Sequence, residues 1–495
     1  MISHLRTPGQ AAAWLRKGVA GKLSTDSREV GAGDGFIAWP GAAVDARQYV
    51  GTVLQAGGSA CLVEEDGSAG FDFSDVRVAG YSGLKAAAAP IAAAYYENPS
   101  EQLQVVAVTG TNGKTSTTWW LAQALGKLGK RCGIVGTLGI GNPEAMVFNG
   151  LTTPDPVLLQ QHLRQFVDQG YAACALEASS IGIAEQRLDA TRIQVAVLTN
   201  FTQDHLDYHG SMQAYWATKR KLFEWPGLAA AVVNMDDAKG VELNAALASS
   251  AIDVWTISML VSARLCAENI NLAADGIVFE VVEDAQRHKI STGMVGLYNV
   301  MNLLGVIASM RALGIGLRDA AGACEGLQQV PGRLETIGVA GLPLVVIDYA
   351  HTPDALEKVL VALKPIAHQR AGRLWCVFGC GGDRDTTKRP LMATVAQKNA
   401  EHVVVTSDNP RTESPAVIIN QILLGLEHSD TVYIEADRAM AISKALSLAQ
   451  ATDVILLAGK GHEAYQEIHG VMHPFSDRTH AQMAMAIRRA LGGVA

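Results

Sequence analysis

Residues 105–116 constrain this chain more than any other stretch: Val105-Val106-Ala107-Val108-Thr109-Gly110-Thr111-Asn112-Gly113-Lys114-Thr115-Ser116. The apolar, β-branched start predicts a buried strand, the glycines a tight turn, and Lys114 the start of a helix. That order builds a phosphate cradle. Backbone N–H groups and the positive helix end face the anion, the lysine adds a point charge, and the threonine hydroxyl can reach Mg²⁺. The spacing is Gly-x-x-Gly-Lys-Thr, two residues tighter than the common P-loop, because Val108 stands where that pattern wants its first glycine. With strand, loop, Lys-Thr and helix all in order, the segment predicts ATP-type nucleotide binding through Gly110, Thr111, Asn112, Gly113, Lys114, Thr115 and Ser116.

At 495 residues the chain is too long for one core; usual domain sizes suggest about three or four. Hydrophobic residues are 49% and charged residues 18%, which excludes general disorder and allows large buried sheets. Forty basic against 48 acidic residues give a net charge of −8, which argues against a general nucleic-acid grip. No uninterrupted apolar run reaches the length of a membrane span, about 18 residues. The start lacks a signal-peptide core, since Pro8 and Gly9 follow within a few residues. Seven cysteines scattered through strand-like runs read as small buried hydrophobes in a reducing cytoplasm. Cys376 and Cys380 have no second Cys or His pair at zinc spacing, so a metal knuckle is rejected.

Three α/β units follow from the organisation of the chain. Residues 1–98 alternate Gly-rich turns with short apolar runs (35–39, 60–63) and an Ala-rich helix at 84–96, up to the break Asn98-Pro99-Ser100. From Leu103 the pattern turns to strand-then-helix, with strands expected at 105–108, 132–135, 172–176, 195–198 and 230–233. This predicts a central parallel sheet covered on both faces, with the irregular 255–295 segment as a smaller antiparallel addition. After the break Val330-Pro331-Gly332, strands at 344–347, 374–378, 403–405 and 454–457 repeat the rhythm. The expected architecture is a small N-terminal α/β domain (1–98), a central P-loop-type domain (99–332) and a C-terminal Rossmann-like domain (333–495).

Polar clusters follow nearly every strand: Glu177 with Ser179 and Ser180, Asn200 to His205, Asp348 to His351, and Gly381 to Asp385. Two more are Ser407-Asp408-Asn409-Pro410-Arg411 and Gly459-Lys460-Gly461-His462-Glu463. Open α/β sheets bind ligands at the carboxyl ends of their strands. Six such clusters across two units place an active site between them.

Taken in order, the motifs resemble those of the Mur ligases, the ATP-dependent amide-forming family of peptidoglycan precursor synthesis. They run from Thr109-Gly110-Thr111-Asn112-Gly113-Lys114-Thr115 through Leu176-Glu177-Ala178-Ser179-Ser180 and Asp204-His205-Leu206-Asp207-Tyr208-His209-Gly210 to Ala217-Thr218-Lys219. Asn299-Val300-Met301-Asn302, Pro331-Gly332-Arg333-Leu334-Glu335, Asp348-Tyr349-Ala350-His351 and Asp408-Asn409-Pro410-Arg411 continue the series. The match covers about 105–480; the first unit matches only through Asp26-Ser27-Arg28 and layout. Within the family the pattern is most similar to the branch adding meso-diaminopimelate to UDP-N-acetylmuramoyl-L-alanyl-D-glutamate.

The resemblance implies a cytoplasmic, monomeric ligase that binds neither nucleic acid nor membrane. It uses ATP and Mg²⁺ to turn a carboxylate into an acyl phosphate that an amine can attack. Such chemistry requires neutralised phosphate charge and an aligned carboxylate. Lys114 would sit on the β/γ-phosphates. Thr115 and Glu177 would serve one Mg²⁺, and His205 a second. By composition alone Lys219, followed by Arg220 and Lys221, is a solvated charge; the resemblance implies instead a carbamylated lysine acting as an oxygen ligand. Asn299 would lie near the adenine, with Arg333, Asp348 and His351 completing the ATP contacts; by its own chemistry Asn299 is equally a helix cap.

For the amino acid, the implied contacts are Arg384, Asp408, Asn409, Pro410, Arg411, Gly459 and Glu463. An arginine fork binds the distal carboxylate that lysine lacks, which suits Arg411. Thr152, Thr153, Ser179 and Arg187 would hold the muramoyl peptide, and Ser27 the uridine end. The sequence departs from the family at Ile181, where a histidine is usual, and at Glu185-Gln186. Two alternatives stay open at this stage. A folylpolyglutamate synthase-like ligase shares the short phosphate loop, and a P-loop regulator would bind nucleotide without ligation.

Overall fold

The computed structural model describes residues 3–41, 44–273, 276–427 and 429–492. Among the described residues, sheets of five, eleven and six strands follow one another along the chain, with a separate two-stranded hairpin near the end. The first sheet is wholly parallel, in the order Ser3–Leu5, Val78–Tyr81, Ala60–Glu64, Gly35–Ala38, Leu23–Ser24. Helix Leu84–Tyr95 packs this unit against helix Pro156–Asp168 of the next, and Val157 joins the apolar cluster of the first sheet.

Strand Gln104–Thr109 lies at the heart of the eleven-stranded sheet, between Ala173–Glu177 and Val195–Leu198. Its residues are buried on both faces: Val106 and Val108 join one apolar cluster, Val105 and Ala107 another. That is why the strand reads as an unbroken apolar run rather than an alternation. Parallel pairing extends through Ala230–Asn234 and Asp253–Ser258 to Leu265–Ala273 on one side, and to Cys132–Gly136 on the other. The 255–295 segment therefore divides. Its first part extends the parallel sheet, because Trp255 and Ile257 alternate inward, and only Gly276–Glu283 and Gln286–Thr292 turn antiparallel, within the same sheet. A second antiparallel addition, Gly139–Asn142 with Ala145–Val147, closes the opposite edge.

The six-stranded sheet runs Glu335–Ile337, Leu344–Asp348, Val454–Ala458, Leu374–Phe378, His402–Val405, Val432–Ile434, all parallel except the first. The carboxyl ends of its strands carry Asp348, Asp408 and Gly459 into the space facing the central sheet. No helix among the described residues is long and apolar enough to cross a membrane.

Candidate active site

A cleft of about 1100 Å³ opens between the central and third sheets, and most of the polar clusters drain into it. Its floor is the turn after Gln104–Thr109. Gly110 adopts φ +142°, where a Cβ would fall 1.9 Å from Thr199 Oγ1, so only glycine lets the loop pass. Helix Lys114–Lys127 starts directly after Gly113, its buried face formed by the Thr115 to Thr118 turn and Trp119 to Leu121. Lys114 Nζ donates to the carbonyls of Gly110 (3.0 Å) and Thr111 (2.8 Å). Burial lowers its pKa, with Glu177 and Asp204 opposing the shift.

Glu177 ends its strand at 1% exposure. It accepts from Thr115 Oγ1 (3.1 Å), Thr137 N (2.9 Å) and Thr137 Oγ1 (3.1 Å). Lys219, on helix Met212–Arg220, is equally buried, and its Nζ donates to Gly110 O at 2.9 Å. Burial pushes its pKa well below the usual ammonium range, and Lys114 adds to this. The solvated-charge reading of Lys219 thus fails, whereas Arg220 and Lys221 are exposed as expected. The reason is helical phase: Lys219 follows Tyr215 on the inward face, 4.5 Å above its ring.

His205 holds a left-handed backbone, φ +53°, before the short helix Leu206–His209. Its Nε2 lies 3.4 Å from Asp204 Oδ2, and His351 Nε2 lies 3.9 Å from the same oxygen. Burial drives both imidazoles down to about 4, so each is neutral at pH 7. Burial alone would raise Asp204, but His205, His351 and Lys388 hold it at about 2.

The third unit reaches into the nucleotide loop twice. Arg333 Nη2 donates to Thr115 Oγ1 (3.1 Å), its guanidinium stacked 4.4 Å over the Tyr349 ring. Asn112 Nδ2 donates to Asp354 Oδ2 at 3.0 Å. Asp348 accepts from Leu334 N at 2.7 Å, and burial raises its pKa to about 6. His351 Nδ1 donates to Tyr349 O (2.7 Å), which leaves Nε2 as the acceptor. Asn299 lines the cleft but is no helix cap: helix Leu297–Ala312 begins after Gly296, and Asn299 Nδ2 bonds back to Val295 O at 2.7 Å.

At one end of the cleft lie Thr152, Thr153, Ser179 and Arg187. Asp155 caps helix Pro156–Asp168 and so fixes the preceding threonines. Thr153 Oγ1 contacts Glu177 O and Ser179 Oγ (2.8 and 2.9 Å), and Arg187 Nη1 donates to Thr153 O at 2.9 Å. Ser179 also caps helix Ser180–Ala184, so part of its role is structural. Beside Ile181, which lines the cleft, His209 Nε2 lies 2.9 Å from Ser180 Oγ. Ser27 lies apart, in the turn of the first unit between the ion-paired Asp26 and Arg28.

At another end, Arg384, Asp408, Arg411, Gly459 and Glu463 line the cleft. Asn409, expected beside them, is turned beneath at 3% exposure; it accepts from Lys460 Nζ (2.9 Å) and donates to Glu463 Oε2 (2.9 Å). It supports the wall rather than lining it, and Pro410 likewise is not among the lining residues. Burial raises Glu463, while Lys460, 2.8 Å away, opposes. Lys460 was passed over in the sequence, although it sits inside a cluster recognised there; a lysine between two glycines gives no hint of complete burial. Thr137 and Asp354 were missed because only the fold brings them to Glu177 and to the loop.

Residues 108–310 match the Mur ligase middle domain, and residues 332–461 the Mur ligase glutamate ligase domain. A UDP-N-acetylmuramoyl-L-alanyl-D-glutamate--2,6-diaminopimelate ligase of Acidovorax sp. (strain JS42) is 56% identical, covering 100% of this chain and 99% of its own. Its counterpart in Janthinobacterium sp. (strain Marseille) is 46% identical over 94% of each. A solved structure bearing the same enzyme name superposes with a TM-score of 0.64 at 33% identity, covering 94% of this chain and 95% of that one.

Proposed function

The chain belongs to the Mur ligase family, and from that we infer that it is an ATP-dependent ligase joining meso-diaminopimelate to UDP-N-acetylmuramoyl-L-alanyl-D-glutamate in peptidoglycan precursor synthesis. ATP would phosphorylate the glutamate carboxylate of the dipeptide, releasing ADP. The diaminopimelate amine then attacks the acyl phosphate, forming the amide and releasing phosphate and a proton. We assign residues 1–98, 99–332 and 333–495 to domains for the sugar nucleotide, ATP and the amino acid. A cytoplasmic monomer is the matching state; size-exclusion chromatography tests the second.

One observation carries this reading: a single cleft joins the phosphate loop to the Thr152–Arg187 end and to the Asp408, Arg411 and Glu463 wall. Three chemically distinct subsites meeting there are what a three-substrate ligation needs. Lys114 and Arg333 bring positive charge to the transferring phosphoryl group. The residues also fit Mg²⁺. Glu177 is a buried carboxylate with Thr115 Oγ1 at 3.1 Å, and His205 is kept neutral. Among the described residues no three His, Cys, Asp or Glu side chains gather as a ready-made metal group. A carbamate on Lys219 would supply further oxygen, and its neutral amine is the form that reacts with CO₂. Bound there, Mg²⁺ would neutralise phosphate charge.

The folylpolyglutamate synthase alternative loses ground because the Acidovorax relative matches across the whole chain, first unit included. The test is phosphate release with the UDP-muramoyl dipeptide and each amino acid in turn. Release that requires both the dipeptide and meso-diaminopimelate is expected; release without either, or with lysine equally well, would sink the assignment.

A further inference from the structure

Hairpin Tyr465–Ile468 with Val471–Pro474 stands outside the six-stranded sheet, yet it is bonded closely to the 408–411 loop. Arg411 N donates to Glu467 O (3.0 Å) and His469 N donates to Arg411 O (2.7 Å), a bridge that pairs Arg411 with Ile468. Gln466 Nε2 donates to Asp408 O (2.6 Å), and Glu467 N to Asn409 Oδ1 (3.0 Å). Held between these bonds, Arg411 keeps a left-handed φ of +50°. Side chains adopt that conformation only where the surroundings impose it.

The side chain is fixed as well. Nη1 donates to Gly382 O at 2.8 Å, and Nε lies 3.1 Å from Glu467 Oε2. Both residues of this pair are three-quarters or more buried. Among the described residues Nη2 has no bonded partner, so the Nη1–Nη2 end of the fork is the edge left for a ligand in the cleft. A planar fork gains specificity only when its plane is set beforehand.

We propose that Glu467 is a positioning residue for amino-acid selection: carried by the hairpin, its carboxylate sets the Arg411 guanidinium so that the open end receives the distal carboxylate of the diamino diacid. This rests on reading the Arg411 wall as the diaminopimelate subsite. Glu467 also gives Arg411 a counter-charge, so the guanidinium does not face the cleft as an unpaired cation.

Phosphate release by the full chain, with diaminopimelate varied at saturating ATP and dipeptide, tests the idea in Glu467→Ala, Glu467→Gln and Arg411→Ala. Glu467→Ala should raise the diaminopimelate KM tenfold or more, with kcat and the ATP KM within twofold of the parent. Glu467→Gln keeps an acceptor oxygen opposite Nε and should recover to within threefold. A diaminopimelate KM within twofold in Glu467→Ala overturns the proposal, as does a glutamine variant no better than alanine. A general loss with a lowered Tm would also overturn it, since that marks a merely structural hairpin. If Arg411→Ala raises the KM and Glu467→Ala does not, only the positioning role falls; if neither does, the subsite reading itself falls.

Discussion

Arg333 Nη2 donates to Thr115 Oγ1 at 3.1 Å, so a guanidinium just past the Pro331-Gly332 break touches the hydroxyl at the heart of the nucleotide loop. The same hydroxyl donates to Glu177 Oε2. One threonine therefore links the strand-end carboxylate of the central sheet to the arginine that leads into the third unit.

Arg333→Ala should accordingly weaken ADP binding roughly tenfold to 100-fold, the loss of one charge-assisted contact, measured by calorimetry. In the parent, small-angle scattering should show a more compact particle with all ligands than without. Superimposable profiles would remove the hinge at 331–333.

Arg411→Ala should cut kcat/KM for meso-diaminopimelate by about 100-fold, since a charged hydrogen-bond partner is lost. ATP affinity should hold, because the bonds of the Arg411 side chain among the described residues run to Gly382 and Glu467, not to the loop of Lys114. Parallel nucleotide titrations decide it, and equal loss of both would refute the assignment.

Lys219→Ala should abolish ligation, on the order of 10³-fold or more, the scale on which removal of one transition-state charge stabiliser acts. Small carboxylates added in solution should restore part of it. A ¹³C-labelled bicarbonate exchange should give a carbamate resonance in the parent and none in the variant. A parent spectrum without that signal, under conditions of full activity, would leave the lysine unmodified.

Asp348 predicts a pH dependence of stability. Its folded pKa, about 6 through burial, exceeds the ordinary 3.8. The folded state therefore binds this proton more tightly, and the contribution is full below about 3.8 and lost as pH rises through about 6. The size is on the order of 2–3 kcal/mol. Denaturant unfolding of Asp348→Asn between pH 4 and 7 should show a flatter profile than the parent. Parallel profiles would show that Asp348 does not titrate there.

Much of this was legible because the chemistry is local. The 105–116 run encodes strand, turn and helix in contiguous residues, and the structure returns Gln104–Thr109 and Lys114–Lys127. Strands buried on both faces, such as Leu374–Phe378, announce themselves by composition. Edge strands did not. Ala145–Val147 and Glu335–Ile337 are only three residues each, and take their form from a neighbour rather than from their own pattern. Lys219 shows the same limit in the site, since nothing in Ala217-Thr218-Lys219-Arg220 says which of two cations faces inward. Asn409 shows it in reverse: its motif is plain, yet only the fold turns it under the wall toward Lys460.

Lys114 rests on two carbonyl oxygens of its own loop. An ammonium held by peptide dipoles has no acid to surrender when a polyphosphate arrives, so the charge of any nucleotide is welcomed alike. With the roles proposed above, choice among bases would fall to the far side, near Asn299, and choice among amines to Arg411. Affinity and discrimination would thereby be lodged in separate corners of one cavity.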